Sequence, residues 1–142
     1  METNGQDPIP VTIRKPRAGK AVLGAFIAAL IMKFFVFDFM IAEGNSMMPA
    51  IRPGTVLLVN RLAYGIRLPW TGDWLLRWSP PKTGDTVVFY TPLGELAVKR
   101  CGRLIEDGRF LALGDNSVDS FDSRSYGPVP MDHIIGKVVG IK

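Results

Sequence analysis

The sequence predicts a small, mainly β domain of antiparallel strands, preceded by one N-terminal transmembrane helix. Three observations support this fold class. The chain has 142 residues, which suits one small domain; an apolar run begins near residue 20; and beyond residue 43 the apolar residues fall into short segments separated by turn residues. We therefore expect a flexible, basic cytoplasmic tail at 1–19, a transmembrane anchor at 20–37 and an extracytoplasmic β domain at 38–142.

The anchor prediction rests on the apolar residues 21–32, AVLGAFIAALIM. This run is shorter than the roughly 20 residues that a spanning helix needs, but it reaches residue 37 if Lys33 extends its side chain to the membrane surface. A buried core helix and a cleaved signal peptide are the alternatives. The Lys-Phe-Phe sequence at 33–35 replaces the small residues that a cleavage site requires, which favours an uncleaved anchor.

Positive charge immediately before the apolar run predicts the orientation of the anchor. The basic residues are Arg14, Lys15, Arg17 and Lys20. Because cytoplasmic flanks of membrane helices carry the excess of lysine and arginine, the N-terminus is expected in the cytoplasm. The sequence thus predicts a single-pass protein of the cytoplasmic (inner) membrane, with its β domain on the outer side.

Five segments of the β domain have the length and composition of strands, with turn residues between them. They are residues 55–60, 85–90, 95–101, 109–113 and 134–141. The short link at 91–94 predicts a hairpin between the second and third segments. A further segment contains every tryptophan at a spacing of four, namely Trp70, Trp74 and Trp78. This spacing favours a helix that either covers the core or lies at the membrane interface, in contact with lipid.

The residue content argues against several classes of site. One histidine and one cysteine cannot form a His-rich metal cluster or an internal disulfide framework. Four basic residues lie close together at 14–20, and the remaining basic residues are interspersed with acidic ones, which argues against nucleic acid as a partner. We expect neither metal nor cofactor, and we interpret His133 and Cys101 as structural residues.

Two side chains predict nucleophilic chemistry. Ser46 lies on a turn between Gly44 and Pro49, just after the anchor, so its hydroxyl would be held near the membrane surface. Lys99 lies in the third predicted strand, where desolvation would lower its pKa and make the amine a usable general base. Considered alone, a serine in a turn and a solvated lysine are the commoner interpretations.

A polar loop at 114–127 follows the fourth predicted strand. Its composition is typical of a solvated turn, but polar groups at this density can also orient a catalytic side chain. Asp122 and Arg124 are spaced to form an ion pair. A hydroxyl in this loop could hold the amine of Lys99.

Together these segments resemble the membrane-bound type I signal peptidases, the bacterial leader peptidase family. The resemblance runs from the anchor to the C-terminus, and the matching motifs lie at 44–49, 64–67, 84–89, 98–100 and 114–124. It implies that Ser46 is the nucleophile and Lys99 the general base. It also implies that Ser120 hydrogen-bonds the lysine and that Asp122 and Arg124 form a supporting ion pair. Further loop positions that match the family are Gly114, Asp115 and Asn116.

The resemblance implies a membrane-bound serine endopeptidase that removes signal peptides from exported preproteins. Its partners would be these preproteins and membrane lipid, without nucleic acid or metal. Gly44 stands where some members carry a serine that helps bind the oxyanion, so the backbone N–H of Ser46 is expected to serve instead. Two alternatives are a dedicated maturation peptidase for a pilin-like or conjugation protein and an inactive membrane-tethered binding module of the same fold.

Overall fold

The computed structural model describes residues 18–68 and 71–142, which form an N-terminal helix followed by mainly antiparallel β structure. The helical elements are α1 (Ala18–Ile31), a π-helical turn (Met32–Val36), α2 (Ser123–Tyr126) and a 3-10 turn (Met131–His133). The strands are β1 (Phe37–Ile41), β2 (Val56–Asn60), β3 (Gly65–Arg67), β4 (Trp74–Arg77), β5 (Thr86–Tyr90), β6 (Leu96–Ile105), β7 (Arg109–Leu113), β8 (Val129–Pro130) and β9 (Ile134–Ile141).

Seven of these strands form one antiparallel sheet in the order β1-β2-β9-β5-β6-β7-β8. The strands β3 and β4 form a separate hairpin. Because β9 pairs with both β2 and β5, the last strand of the chain joins the N-terminal part of the sheet to the β5–β6 hairpin. As a result, β1, which leads to Ser46, and β6, which carries Lys99, belong to the same sheet.

The buried side chains form two clusters, because successive residues of a strand point to opposite faces. Val87 belongs to one cluster and Val88 to the other. Trp74 of the β3–β4 hairpin packs against the first cluster. The second cluster includes Met47 and Ile51 from the turn after β1, so the core itself fixes the segment that contains Ser46.

All five predicted strands are present, with differences at their ends. The strands β7 and β9 have the predicted bounds, and β6 continues to Ile105, past the predicted end at residue 101. A register shift between Cys101 and Leu104 accompanies this extension of β6. The strand β1 was not predicted, because its apolar residues follow the N-terminal apolar run without an intervening turn signal.

The tryptophan spacing predicted a helix, and this prediction is wrong for the part of the tryptophan segment that the structure describes. Trp74 begins β4, which pairs with β3, whereas Trp70 lies outside the described residues. A spacing of four is also a multiple of two, so it aligns side chains on a strand as well as on a helix. The ring of Trp74 has two guanidinium groups near it, that of Arg67 at 5.8 Å and that of Arg77 at 4.9 Å, while Trp78 is exposed.

The predicted anchor at 20–37 is divided among three elements. The helix α1 has 14 residues, the π-helical turn follows it, and β1 begins directly afterwards at Phe37. Across 18–68 and 71–142, none of the helices meets the length and apolarity needed to cross a bilayer.

Candidate active site

Ser46 lies in the turn that follows β1, and the core holds this turn in place. Met47 and Ile51 are buried, with 4% and 2% of their surfaces exposed, and the Ile51 N–H donates to the Met47 carbonyl at 2.8 Å. Gly44 has a φ of 76°, a left-handed conformation that favours glycine. The chain can therefore turn sharply after β1 and present the Ser46 side chain beside β6.

Lys99 lies in β6 opposite Val87 of β5, and only 6% of its surface is exposed. Its Nζ donates a hydrogen bond to Ser46 Oγ at 2.5 Å. Burial lowers the pKa of Lys99 from its ordinary value near 10.5; the carboxylate of Asp122 opposes this shift, and the guanidinium of Arg124 adds to it. The structure therefore brings a serine hydroxyl into contact with an amine that loses its proton more readily than an exposed lysine does.

The polar loop after β7 is joined to the Ser46 turn through Asn116 and Gly114. The backbone N–H of Asn116 donates to the Ser46 carbonyl at 2.9 Å, and its side-chain Nδ2 donates to the Asn45 carbonyl at 3.2 Å. A Cβ atom at Gly114 would lie 2.7 Å from the Ser46 carbonyl oxygen and would collide with the Ser120 side chain. Glycine at this position therefore allows the loop to lie directly against the turn.

The Gly114→Ala variant is expected to lose most of the reactivity of Ser46, because the added methyl group must displace either Ser120 or the Ser46 backbone. A misplacement of about 1 Å can lower a rate on the order of 100-fold. The measurement is the rate at which a serine-acylating reagent labels Ser46, followed by intact mass. Gly140→Ala is the matched control, since its Cβ would lie at an ordinary contact distance of 3.4 Å from Leu58. Labelling of Gly114→Ala at the wild-type rate would contradict this packing argument.

Asp122 is a fully buried carboxylate at the start of α2. Its Oδ2 accepts from the Gly114 N–H at 2.7 Å and from Ser120 Oγ at 2.6 Å. Its Oδ1 accepts from the backbone N–H and the Nε of Arg124 at 3.0 and 2.9 Å, and Arg124 Nη2 lies 2.5 Å from Oδ2. Burial alone would raise the pKa of Asp122, but these donors hold it well below its ordinary range.

The structure places Ser120 differently from the expectation based on the family resemblance. In the described chain, Lys99 hydrogen-bonds Ser46 and the Ser120 hydroxyl donates to Asp122; the expected direct bond between Ser120 and Lys99 is not formed. The one proton of the Ser120 hydroxyl is donated to the ionised carboxylate of Asp122 in a charge-assisted hydrogen bond. Ser120 therefore belongs to the network around Asp122.

Asp115 pairs with Arg100, a partner that the sequence analysis missed. The Nε and Nη2 of Arg100 donate to the two carboxylate oxygens at 2.8 and 2.6 Å, and Nη1 donates to the Gly84 carbonyl at 3.0 Å. This pair fixes the polar loop to the strand residue next to Lys99. Strand alternation already places Arg100 and Lys99 on opposite faces, but it does not reveal which acidic residue Arg100 meets.

A cavity of about 340 Å³ opens beside Ser46 and Lys99. It lies between the end of β1 and residues 96–99 of β6. The strand β1 is at the edge of the sheet, and β6 pairs with β7 only from Arg100 onward, so both strands present a free edge here. Free strand edges can bind an extended peptide through main-chain hydrogen bonds. Among the described residues, the Ser46 N–H has no hydrogen-bond acceptor and is available for an oxyanion.

Cys101 and His133, which we interpret as structural residues, lie outside the contacts of the Ser46–Lys99 pair. Within the ranges that the structure describes, no group of three histidine, cysteine or acidic residues is arranged to bind a metal ion. Cys101 is buried, and burial raises the pKa of its thiol to about 11. The Nδ1 of His133 lies 2.9 Å from the Tyr90 carbonyl, a contact with the main chain at the end of β5.

Comparison with known proteins places the chain in a peptidase family. The family model described as signal peptidase, peptidase S26, matches residues 16–104 and 95–141. The chain is 27% identical to signal peptidase I of Bacillus caldolyticus over 75% of this chain and 80% of that protein. It is 25% identical to the probable signal peptidase I-1 of Synechocystis, over 79% and 74% of the two chains.

A further relative comes from a eukaryote. The chain is 32% identical to the mitochondrial inner membrane protease subunit 1 of Xenopus tropicalis, over 73% of this chain and 68% of that protein. The family model covers well over half of the present sequence, and the relatives align over most of their own length. The chain therefore belongs to the type I signal peptidase family, peptidase family S26, and is an enzyme of the peptidase class.

Proposed function

We propose that this enzyme removes signal peptides from exported preproteins, with Ser46 as the nucleophile and Lys99 as the general base. The observation that carries the assignment of roles is the 2.5 Å contact between Ser46 Oγ and the buried Nζ of Lys99. The substrate class comes from the relatives, which are named as signal peptidases. A nucleophile next to a base of lowered pKa is the arrangement that covalent catalysis by serine requires.

The proposed reaction has two stages. The neutral amine of Lys99 accepts the proton of the Ser46 hydroxyl as Oγ attacks the scissile carbonyl, and the Ser46 N–H binds the resulting oxyanion. The Lys99 ammonium then donates its proton to the leaving amine, and the mature protein departs from the acyl-enzyme. Lys99 next accepts a proton from the water that attacks the ester, and it returns this proton to Ser46 Oγ as the signal peptide is released.

The cavity beside Ser46 is the proposed binding groove for the end of the signal peptide. The peptide would lie extended between β1 and β6 as an added strand. Small substrate residues at the first and third positions before the scissile bond would fill its shallow pockets. Ala42, Met47 and Ala97 are among the residues that line this cavity, which gives these pockets mainly apolar walls.

Exposed apolar surface supports the proposed membrane anchor at 20–37. Exposed apolar side chains of α1 are Val22, Leu23, Phe26, Ile27, Leu30 and Ile31. On β1, Phe39 and Ile41 are 68% and 67% exposed, so the apolar surface continues into the β domain. Exposed apolar surface of this extent marks contact with a membrane or a partner. We propose a single-pass protein whose N-terminus is cytoplasmic and whose β domain lies outside the cytoplasmic membrane.

The alternatives differ from this proposal in substrate or in activity. A dedicated maturation peptidase would use the same Ser46–Lys99 pair, so only tests with several preproteins separate it from a general enzyme. An inactive binding module has no need for a buried lysine in contact with a serine, since burying an amine is unfavourable without compensation. We therefore favour the general signal-peptide-cleaving enzyme.

The pH dependence of preprotein cleavage tests the proposed function. The amine of Lys99 accepts a proton only in its neutral form, so kcat/KM is expected to rise with pH through the pKa of Lys99 and to level off above it. Since burial lowers that pKa, the rise should be complete below the ordinary lysine value near 10.5. The measurement is the initial rate of cleavage of a model preprotein in detergent, between about pH 5 and pH 10.

Lys82→Met is the control for the pH profile, because Lys82 is an exposed lysine outside the site. Its profile is expected to match that of the wild type. Absence of cleavage at every pH would reject the proposed function. A rate that falls as the pH rises through this range would reject Lys99 as the base.

A further inference from the structure

A second cavity, of about 190 Å³, extends the proposed binding groove at the end away from Ser46. Met40 and Leu96 line both cavities, so the two are neighbours along β1 and β6. From Ala42 back to Asp38 the strand covers about 13 Å, at about 3.3 Å per residue. A peptide extended along β1 from Ser46 would therefore reach this second cavity.

The second cavity contains a guanidinium without an acidic partner among the described residues. Arg67 is half-buried; its Nε donates to the Gly72 carbonyl and its Nη1 to the Ile134 carbonyl at 3.0 Å, but its Nη2 has no acceptor in that part of the chain. Burial lowers the pKa of Arg67, and the charge of Asp73 opposes this shift in part. The one carboxylate that lines the cavity, Asp38, is paired with Arg61 at 3.2 Å.

The location of this cavity connects it to the proposed anchor. The Arg61 N–H donates to the carbonyl of Val36, the last residue of the π-helical turn, at 2.8 Å. The cavity therefore lies where the anchor ends and the β domain begins. In the proposed function, the end of a signal peptide emerges from the membrane at this same level on its way to Ser46.

We propose that this cavity is a subsite for an acidic side chain of the substrate, about five residues before the scissile bond. The inference rests on the proposed function, since it takes the bound peptide to be a signal peptide. A substrate carboxylate at this position can accept a charge-assisted hydrogen bond from Nη2 of Arg67, which has no acceptor among residues 18–68 and 71–142. Met40 and Leu96 form apolar walls beside this position. The chemistry of the subsite thus distinguishes among preproteins that carry equally small residues at the cleavage site.

The test compares preproteins that differ at one position. A model preprotein is prepared with glutamate, glutamine or lysine at each of about three positions centred on the fifth before the scissile bond. The full-length enzyme in detergent is expected to cleave the glutamate form with a kcat/KM about tenfold higher than the glutamine form at one of these positions. The lysine form should be cleaved more slowly than either. The difference should appear mainly in KM, because the contact is made in both the ground state and the transition state.

Variants of the enzyme assign the preference to Arg67. Arg67→Gln should cleave the glutamate and glutamine forms equally, whereas Arg103→Gln, which removes an exposed arginine farther along β6, should retain the preference. If Arg67→Gln does not fold, the subsite is tested by the wild-type enzyme alone, through the order of its kcat/KM values for the glutamate, glutamine and lysine forms. Equal cleavage of the three forms, or a preference that Arg67→Gln retains, overturns the subsite.

The same experiment separates the subsite from the proposed function. Cleavage of the glutamine form by the wild type, with no cleavage by Ser46→Ala, supports the function whatever the preference at the subsite. Absence of cleavage of every form by the wild type would reject the function, and the subsite with it.

Discussion

Replacing Ser46 by alanine is expected to abolish preprotein cleavage while leaving the fold intact. The hydroxyl supplies the atom that forms the acyl-enzyme, and removing such a nucleophile lowers kcat on the order of 10⁴-fold or more. The one side-chain hydrogen bond of Ser46 in the described chain is the one with Lys99, so the loss of stability should be about 1 kcal/mol. Cleavage of a model preprotein and the thermal unfolding midpoint are the two measurements.

Ser117→Ala provides the matched control for the nucleophile. Ser117 is an exposed serine of the polar loop and takes part in none of the described contacts at the site. This variant is expected to retain wild-type cleavage. Near-normal cleavage by a folded Ser46→Ala enzyme would remove Ser46 from the mechanism.

Replacing Lys99 by methionine is expected to lower kcat by a factor of about 10² to 10⁴, the usual contribution of a general base. Methionine keeps an unbranched chain of similar length in the buried position, and it removes the cost of burying an amine. The variant should therefore be at least as stable as the wild type. The rise of kcat/KM with pH should also disappear, because the amine whose deprotonation causes it is absent.

Lys99→Arg separates a base from a simple positive charge. The guanidinium keeps the charge but does not lose its proton under physiological conditions, so this variant is expected to be as inactive as Lys99→Met. Substantial activity of Lys99→Arg would indicate that the side chain acts through its charge. Lys82→Met again serves as the control with normal activity.

The proposed Ser46–Lys99 pair was identified in the sequence through the family resemblance, since residue types alone favoured a turn serine and a solvated lysine. The chain has one histidine, so a serine nucleophile outside its reach needs another base, and Lys99 lies on a strand with small neighbours. The ionic contacts around the pair were only partly predictable. Asp122 and Arg124 are two residues apart, so their ion pair could be predicted from their spacing. The pairing of Arg100 with Asp115 depends on how the loop after β7 folds back over β6, which the spacing does not show.

The hydrogen bond of Ser120 shows where reasoning from the sequence stops. A resemblance to a family assigns a serine to a position but does not fix which group accepts the hydrogen bond of its hydroxyl. Here the buried carboxylate of Asp122 accepts it. The prediction of a helix for the tryptophan segment was wrong for a different reason. A spacing of four residues agrees with both a helix and a strand, and pairing with β3 makes the residues from Trp74 onward a strand.

The strand β1 was missed although it positions the nucleophile. Apart from Asp38 its residues are apolar, and they follow the π-helical turn without glycine or proline, so no turn signal marks the start of a strand. Pairing with β2 makes it an edge strand, and the chain then turns at Gly44 to reach Ser46. In the proposed topology, this direct path from the anchor to Ser46 would keep the site close to the membrane surface.

The protonation of Lys99 in the folded enzyme is the most direct test of the mechanism. NMR of the protein with ¹³C-labelled lysine side chains follows the Cε resonance of each lysine through a pH titration, and comparison with Lys99→Met identifies the signal. We predict that Lys99 titrates clearly below its ordinary value near 10.5. A Lys99 resonance that titrates together with the exposed lysines would contradict the central claim that burial supplies the base.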